Sequence, residues 1–272
     1  MNSHFDKNSF DQIDSILNQY ANGYLVIIDI KDSTARKKEY KQLWMQQTIA
    51  LFKGFENFAD RIKAQTGMEI AVIKFMGDGG MVFFEHSPKT TSENDAKADP
   101  ENSTAVLEEL SSFIREVKDQ SNKLGKMRLR TVLTYLTDVF VFDLSGKKDV
   151  IGRGVDFSFR LEKFADISHI TVNKLFYNSL SQNTRGYKEI LCKRKVKGWS
   201  SEGGEEFYIL TSESDIEEAF KGYRSPSSAG DVNMELFEYY VSLKEGACTE
   251  SLKAEDESSL QYVISGPLGE KK

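Results

Sequence analysis

Two apolar, β-type segments joined by four residues, three of them glycine, constrain the fold of this chain more than any other feature. Glu69–Met76 (EIAVIKFM) and Met81–Glu85 (MVFFE) read as strands. Gly77-Asp78-Gly79-Gly80 between them supplies the positive φ values that a tight hairpin needs. Upstream, Gly23–Ile30 (GYLVIIDI) is a short run rich in β-branched residues and predicts a buried strand. Leu51, Phe55, Phe58 and Ile62 then recur at three- and four-residue spacing, predicting a helix that Ser33 or Thr34 caps and Gly67 ends. Residues 86–103, polar and containing Pro88 and Pro100, read as a surface loop before a helix over Ala105–Val117. Arg128–Leu136 and Val139–Phe142 read as strands, with Asp143–Asp149 as the turn after them. A helix from about Gly154 to Ala165, a short strand Ile170–Val172, a further helix and closing strands that end at Phe207–Leu210 complete the pattern. The order β-α-β-β-α-β-β-α-β predicts an α+β fold of the ferredoxin-like, split βαβ type.

Charge separates this body from its tail. The chain has 36 Lys and Arg against 42 Asp and Glu, a net of −6. From Glu213 onward there are thirteen acids and six bases, so the body is nearly neutral and the tail carries the acidity. A binder of long nucleic acid would show a basic excess, and none is present. No apolar run reaches the roughly 18–20 residues of a membrane span, and Met1–Phe10 lacks a signal-peptide core. Cys192 and Cys248 have no metal-type spacing and suit a reducing, cytoplasmic setting. The expected organisation is a helical lead-in over 1–21, a domain over 22–212 and a C-terminal extension over 213–272. Within that extension Ser225–Gly230 reads as a linker, Val232–Leu243 as a short helix, and 252–272 as largely without structure.

The chemistry centres on two carboxylates. Asp29 ends the first strand and Asp78 sits in the hairpin turn, so neighbouring strands bring both to one cleft. Two aspartates at such range repel unless a cation lies between them, and Mg²⁺ or Mn²⁺ suits oxygen ligands of this kind. Turn chemistry alone accounts equally well for an Asp at either position.

Four segments together give a more specific reading. Ile28-Asp29-Ile30-Lys31-Asp32-Ser33-Thr34 resembles the D-I-x-G-[FS]-T signature of class III nucleotidyl cyclases. Ile73-Lys74-Phe75-Met76-Gly77-Asp78-Gly79 is similar to their K-x-x-G-D-G hairpin. The run from Asp149 to Glu162 (DVIGRGVDFSFRLE) resembles their third motif, D-x-x-G-x-x-V-N-x-A-x-R-L-E. Lys195-Val196-Lys197-Gly198 followed by Tyr208 resembles the closing V-K-G…Y segment. The ordered set covers about residues 22–212, and by it the chain is identified as a class III cyclase domain.

That resemblance implies a set of roles. Asp29 and Asp78, with the Ile30 carbonyl, would hold two divalent ions, Mn²⁺ or Mg²⁺. Lys74 and Asp149 would read the base edge, Arg160 would stabilise charge on the α-phosphate, and Lys197 would grip the β- and γ-phosphates. The resemblance further implies a head-to-tail homodimer with shared sites, the metals from one subunit and Asp149 and Arg160 from the other. Three positions depart from the pattern. Asp32 replaces a glycine, Asp156 replaces the asparagine that orients the ribose, and Leu129–Leu136 lacks the usual glycines.

Lys74 and Asp149 offer one donor and one acceptor, which adenine and uracil both satisfy. Tyr135, Leu136, Phe157 and Phe159 would narrow a base pocket. The layout, with no receptor, anchor or sensor segment in view, resembles the pyrimidine cyclases of bacterial antiphage (Pycsar) systems. It leads to the expectation of UTP as substrate, cyclic UMP as a messenger for a separate effector, and a phage-derived activator. A soluble adenylate cyclase is the alternative, and a non-catalytic nucleotide-binding module a third reading. His4, His86 and His169 stand isolated, with no triad or zinc spacing.

Overall fold

The computed structural model describes residues 20–31, 33–86, 98–124, 127–165, 169–180, 187–194, 205–212, 252–253 and 261–264. Asp32, Lys197, the linker at 225–230 and the expected helix at 232–243 lie outside them, as do nearly all of 1–21 and most of 213–272.

Strand β1 (Tyr20–Ile30) is the centre of the molecule, lying between β3 (Gly79–Glu85) and β4 (Leu129–Leu144) and antiparallel to both. It is buried on both faces, which is why its sequence is a continuous apolar run rather than an alternating one. Tyr24, Val26, Ile28 and Ile30 face one core and Leu25 and Ile27 the other. The remaining strands are β2 (Glu69–Met76), β5 (Lys147–Ile151), β6 (His169–Asn173), β7 (Tyr187–Arg194), β8 (Glu205–Ser212), β9 (Leu252–Lys253) and β10 (Gln261–Ile264). They join one sheet in the order β2-β3-β1-β4-β6-β8-β7-β10-β9, with β5 paired to β4. Among the described residues only β4 and β6 pair in parallel.

Helices cover both faces. On the Tyr24 side lie α1 (Ser33–Tyr40), α2 (Gln42–Thr66), α3 (Pro100–Leu124) and α5 (Lys174–Ser179), whose buried Phe55, Phe58, Phe113 and Phe176 build an aromatic core. On the Leu25 side, α4 (Arg153–Leu161) packs Val155, Phe157 and Leu161 against the sheet and passes into a 3₁₀ turn, Glu162–Phe164. The α+β architecture agrees with the sequence expectation. Among the described residues no helix is long and apolar enough to cross a membrane.

Several boundaries differ from the sequence reading, each for an identifiable reason. The single helix expected after β1 is two, because Lys41 adopts φ 46° and interrupts the hydrogen-bond ladder. Helix α3 starts at Pro100, inside the segment read as loop. Asp99 is its cap, the carboxylate accepting from the Glu101 N–H at 2.8 Å, and proline needs no partner at the first helical position. Strand β4 continues through Thr137 and Asp138, read as a break; the Asp138 carboxylate accepts from the Gly154 N–H at 3.3 Å, which accounts for its place in a strand. The turn expected over 143–149 closes at Ser145-Gly146, and Asp149 belongs to β5, paired with Phe142. Leu252–Lys253 and Gln261–Ile264, expected to lack structure, are strands, with Gln261–Ile264 extending the β7 edge.

Two buried tyrosines differ in their polar ends. The Tyr24 hydroxyl donates to the Asp99 carbonyl at 3.1 Å and shares a hydrogen bond with Ser103 at 2.9 Å. The Tyr135 hydroxyl is equally buried but has no partner among the described residues, and burial pushes it up to about 12. Tyr24→Phe should therefore cost about 1 kcal/mol, whereas Tyr135→Phe should be neutral or stabilising. Because folding raises the Tyr135 value, its contribution is complete below pH ~10 and is lost as pH rises toward 12. Thermal denaturation at pH 8 and in the alkaline range checks both; the phenylalanine variant at 135 should lose less stability at high pH than wild type.

Candidate active site

Strand register builds the carboxylate centre. Asp29 pairs with Gly79 on one side and with Arg130 on the other. Residues directly opposite in a sheet project to the same face, so Asp29 and Arg130 meet, Nη2 to Oδ2 at 2.8 Å. Asp78 precedes Gly79 and enters the same neighbourhood through the turn. Gly77 takes φ 67° there, and a Cβ on Gly79 would lie 2.6 Å from the Ile28 carbonyl oxygen and 3.3 Å from Asp29 Oδ1. Glycine is therefore required at 79 for the hairpin to approach Asp29 this closely.

Glu162, at the end of α4, completes the group. Arg130 Nη1 lies 3.6 Å from Glu162 Oε1, and the Glu162 and Asp29 carboxyls lie within hydrogen-bonding reach of each other. Burial pushes the Asp29 carboxyl above its ordinary value; Arg130 pulls it back, and the charge of Asp78 pushes it further up. Burial likewise raises Glu162, followed by the charge of Asp29. The Ile30 N–H donates to the Asp29 carboxylate. On the outer side, Lys37 of α1 reaches Asp78 with Nζ 3.3 Å from Oδ1. Three carboxyls thus converge, held by two cations.

These residues suit a hard divalent cation. The donors are all carboxylate oxygens, and the Gly79 cradle brings two of them together without a side chain between. Among the described residues no three His, Cys, Asp or Glu side chains are placed to hold a metal unaided. Mg²⁺ is commonly held in this incomplete way, through one or two carboxylates with water and substrate phosphate supplying the rest.

A second polar pair lies at the β2–β5 contact. Lys74 Nζ is 2.5 Å from Asp149 Oδ2, joining residues 75 apart in sequence. Partial burial works against the Asp149 charge, but the Lys74 hydrogen bond and the Val150 N–H, at 2.9 Å, hold its carboxyl below the ordinary range. Asp156 and Arg160 lie one turn apart on α4, away from the buried Val155, Ser158 and Leu161, so they share the outward face. The structure therefore joins Asp29 to Asp78 and Lys74 to Asp149 within one chain.

Two parts of the sequence reading need correction or addition. Tyr135 is buried in one core and Phe159 packs against the other, while Leu136 and Phe157 reach the wall of a cavity that neither Lys74 nor Asp149 lines. That cavity, about 570 Å³ beside the first turn of α4, is lined by Leu136, Asp138, Arg153, Phe157, Lys174 and Glu206, among others, and by none of the expected metal, base-edge or phosphate residues. Arg130, Glu162 and Lys37 received no role from the sequence. Only Glu162 carried a signal, as the last residue of the third motif; Arg130 and Lys37 become visible through register and helix placement.

The sequence matches no family model and no curated protein. Solved structures do match. An adenylyl cyclase from P. aeruginosa shares 21% identity, with a TM-score of 0.52 over 71% of this chain and 95% of that one. The catalytic core of a rhodopsin-guanylyl cyclase with converted specificity, in complex with ATPalphaS, shares 18%, with a TM-score of 0.52 over 71% and 96%. The guanylate cyclase domain from Catenaria anguillulae, in complex with GTP, shares 17%, with a TM-score of 0.50 over 71% and 97%. The fold is that of adenylyl and guanylyl cyclase catalytic domains.

Removing the strand-borne cation tests the carboxylate centre. Arg130→Gln should cost about 1–3 kcal/mol in EDTA, the range for leaving a partly buried charged group unpaired, and added Mn²⁺ should restore most of it. Thermal denaturation with EDTA and with Mn²⁺ reads both effects; equal stability of variant and wild type in EDTA would contradict the arrangement.

Proposed function

We propose that this chain is a class III nucleotidyl cyclase whose catalytic unit is residues 22–212, converting a nucleoside triphosphate to its 3′,5′-cyclic monophosphate and pyrophosphate. The observation that carries the reading is the convergence of Asp29 and Asp78 at the Gly79 cradle, on a fold shared with cyclase catalytic domains. In the reaction the 3′-oxygen forms a bond to the α-phosphorus, the bond to pyrophosphate breaks, and the hydroxyl proton is released. Divalent ions, when bound, supply charge stabilisation to the attacking and leaving oxygens.

The chain's own residues supply position and counter-charge. Asp29 and Asp78 would hold the cations, with the Ile30 carbonyl as a further ligand. Arg160 meets the negative charge that develops on the α-phosphate, a task suited to a preformed donor. Lys197 takes the terminal phosphates. Asp156 accepts from a ribose hydroxyl and so orients the sugar, since in-line attack depends on positioning.

Lys74 donates to the base and Asp149 accepts from it. Uracil presents O4 and N3–H to this pair, and on this polarity the reading is UTP to cyclic UMP, as a messenger in bacterial antiphage defence. Adenine meets the same polarity through N1 and its amino group, which makes ATP the second reading.

Incubation with Mn²⁺ and each of the four nucleoside triphosphates, followed by chromatography of products, decides the matter. Cyclic UMP is the expected product; cyclic AMP alone would replace the uridine reading, and no product from any triphosphate would sink the enzymatic one. Asp78→Ala should abolish turnover and leave the thermal transition in place.

The shared-site dimer has its own test. Asp78→Ala and Arg160→Ala proteins should each be inactive alone. Mixed in equal amounts, they should regain about a quarter of wild-type activity, because half the dimers then contain one intact site of two. A mixture as inactive as its parts contradicts sites built from two copies.

A further inference from the structure

Lys37 has a position that the cyclase reading does not use. Its ammonium lies 3.3 Å from Asp78 Oδ1 and 5.6 Å from the centre of the Trp44 ring. Asp78 is thus already paired with a monovalent cation supplied by the chain itself. The same carboxylate cannot keep a close lysine contact and also bind a divalent ion at that oxygen without an added cost of repulsion between the two cations.

The two resident cations differ in how they are held. Arg130 lies within the sheet, its backbone fixed by strand pairing with Asp29, and it also contacts Glu162. Lys37 stands on α1, a surface helix of eight residues with none buried, and 46% of its side chain is exposed. A flexible side chain on such a helix can move to solvent without disturbing packing, whereas Arg130 cannot leave without uncovering two carboxyls.

We propose that Lys37 is a positioning residue of the metal centre: it holds Asp78 as a displaceable counter-ion and must leave for a divalent cation to load at that carboxylate. Trp44 then reports the exchange, because the ring loses its neighbouring positive charge when Lys37 departs. The proposal rests on the metal reading of Asp29 and Asp78 and adds a competing residue to it.

Mn²⁺ binding without nucleotide, followed by the electron paramagnetic resonance signal of free Mn²⁺, separates the two. Lys37→Met should bind Mn²⁺ about two- to fivefold more tightly than wild type, the size expected for removing one exposed ion pair. Lys37→Arg should remain near wild type, and Asp78→Ala should bind more weakly. In a Trp199→Phe background, Mg²⁺ should change Trp44 emission when Lys37 is present and leave it unchanged in Lys37→Met. If Asp78→Ala weakens binding while Lys37→Met binds no more tightly than wild type, the Lys37 proposal is overturned and the metal reading survives. If Asp78→Ala leaves Mn²⁺ affinity intact, the metal reading falls and takes the proposal with it.

Discussion

The pairing of β1 between β3 and β4 is the constraint on which the rest depends. One register sets Asp29 against Gly79 and Arg130 together. A slip of one residue would turn every β1 side chain to the opposite face. It would bury the carboxylate under α2 and α3, where Ile28 and Ile30 now lie, and expel apolar groups toward α4. Core and site are therefore one specification: the packing that hides Tyr24, Val26 and Ile28 also aims Asp29 at its partners.

The fold was largely legible because its strongest signals are local. The hairpin at Gly77–Gly80, the apolar run of β1 and the helical spacing of Leu51, Phe55, Phe58 and Ile62 each depend on neighbours in sequence. What was missed depended on neighbours in space. Thr137 and Asp138 look like a break in apolar pattern until Asp138 is seen to accept from Gly154. Asp99 and Pro100 did form a readable helix start, and the prolines nearby drew the segment into a loop instead. Lys41 offers no sequence cue for its left-handed backbone.

The candidate site divides along the same line. Asp29 and Asp78 were read from a strand end and a hairpin turn, Lys74 and Asp149 from motif likeness, and the structure brings them together in two pairs. Arg130 and Glu162 required knowledge of which strand lies beside β1 and where α4 ends. Tyr135 and Phe159 show the opposite case, since bulky residues near a motif are as readily core as pocket wall.

In the proposed cyclase, the Lys74–Asp149 bridge bears on how a base is held. Donor and acceptor already satisfy each other at 2.5 Å, on a partly exposed surface. An incoming nucleobase must therefore exchange partners rather than add them, gaining only the difference between two new hydrogen bonds and the ion pair surrendered. Every nucleobase carries a donor beside an acceptor on its pairing edge, so polarity alone strands neither charged side chain. In the proposed cyclase, then, the affinity gained from the base edge stays small and the polyphosphate is left to hold the ligand.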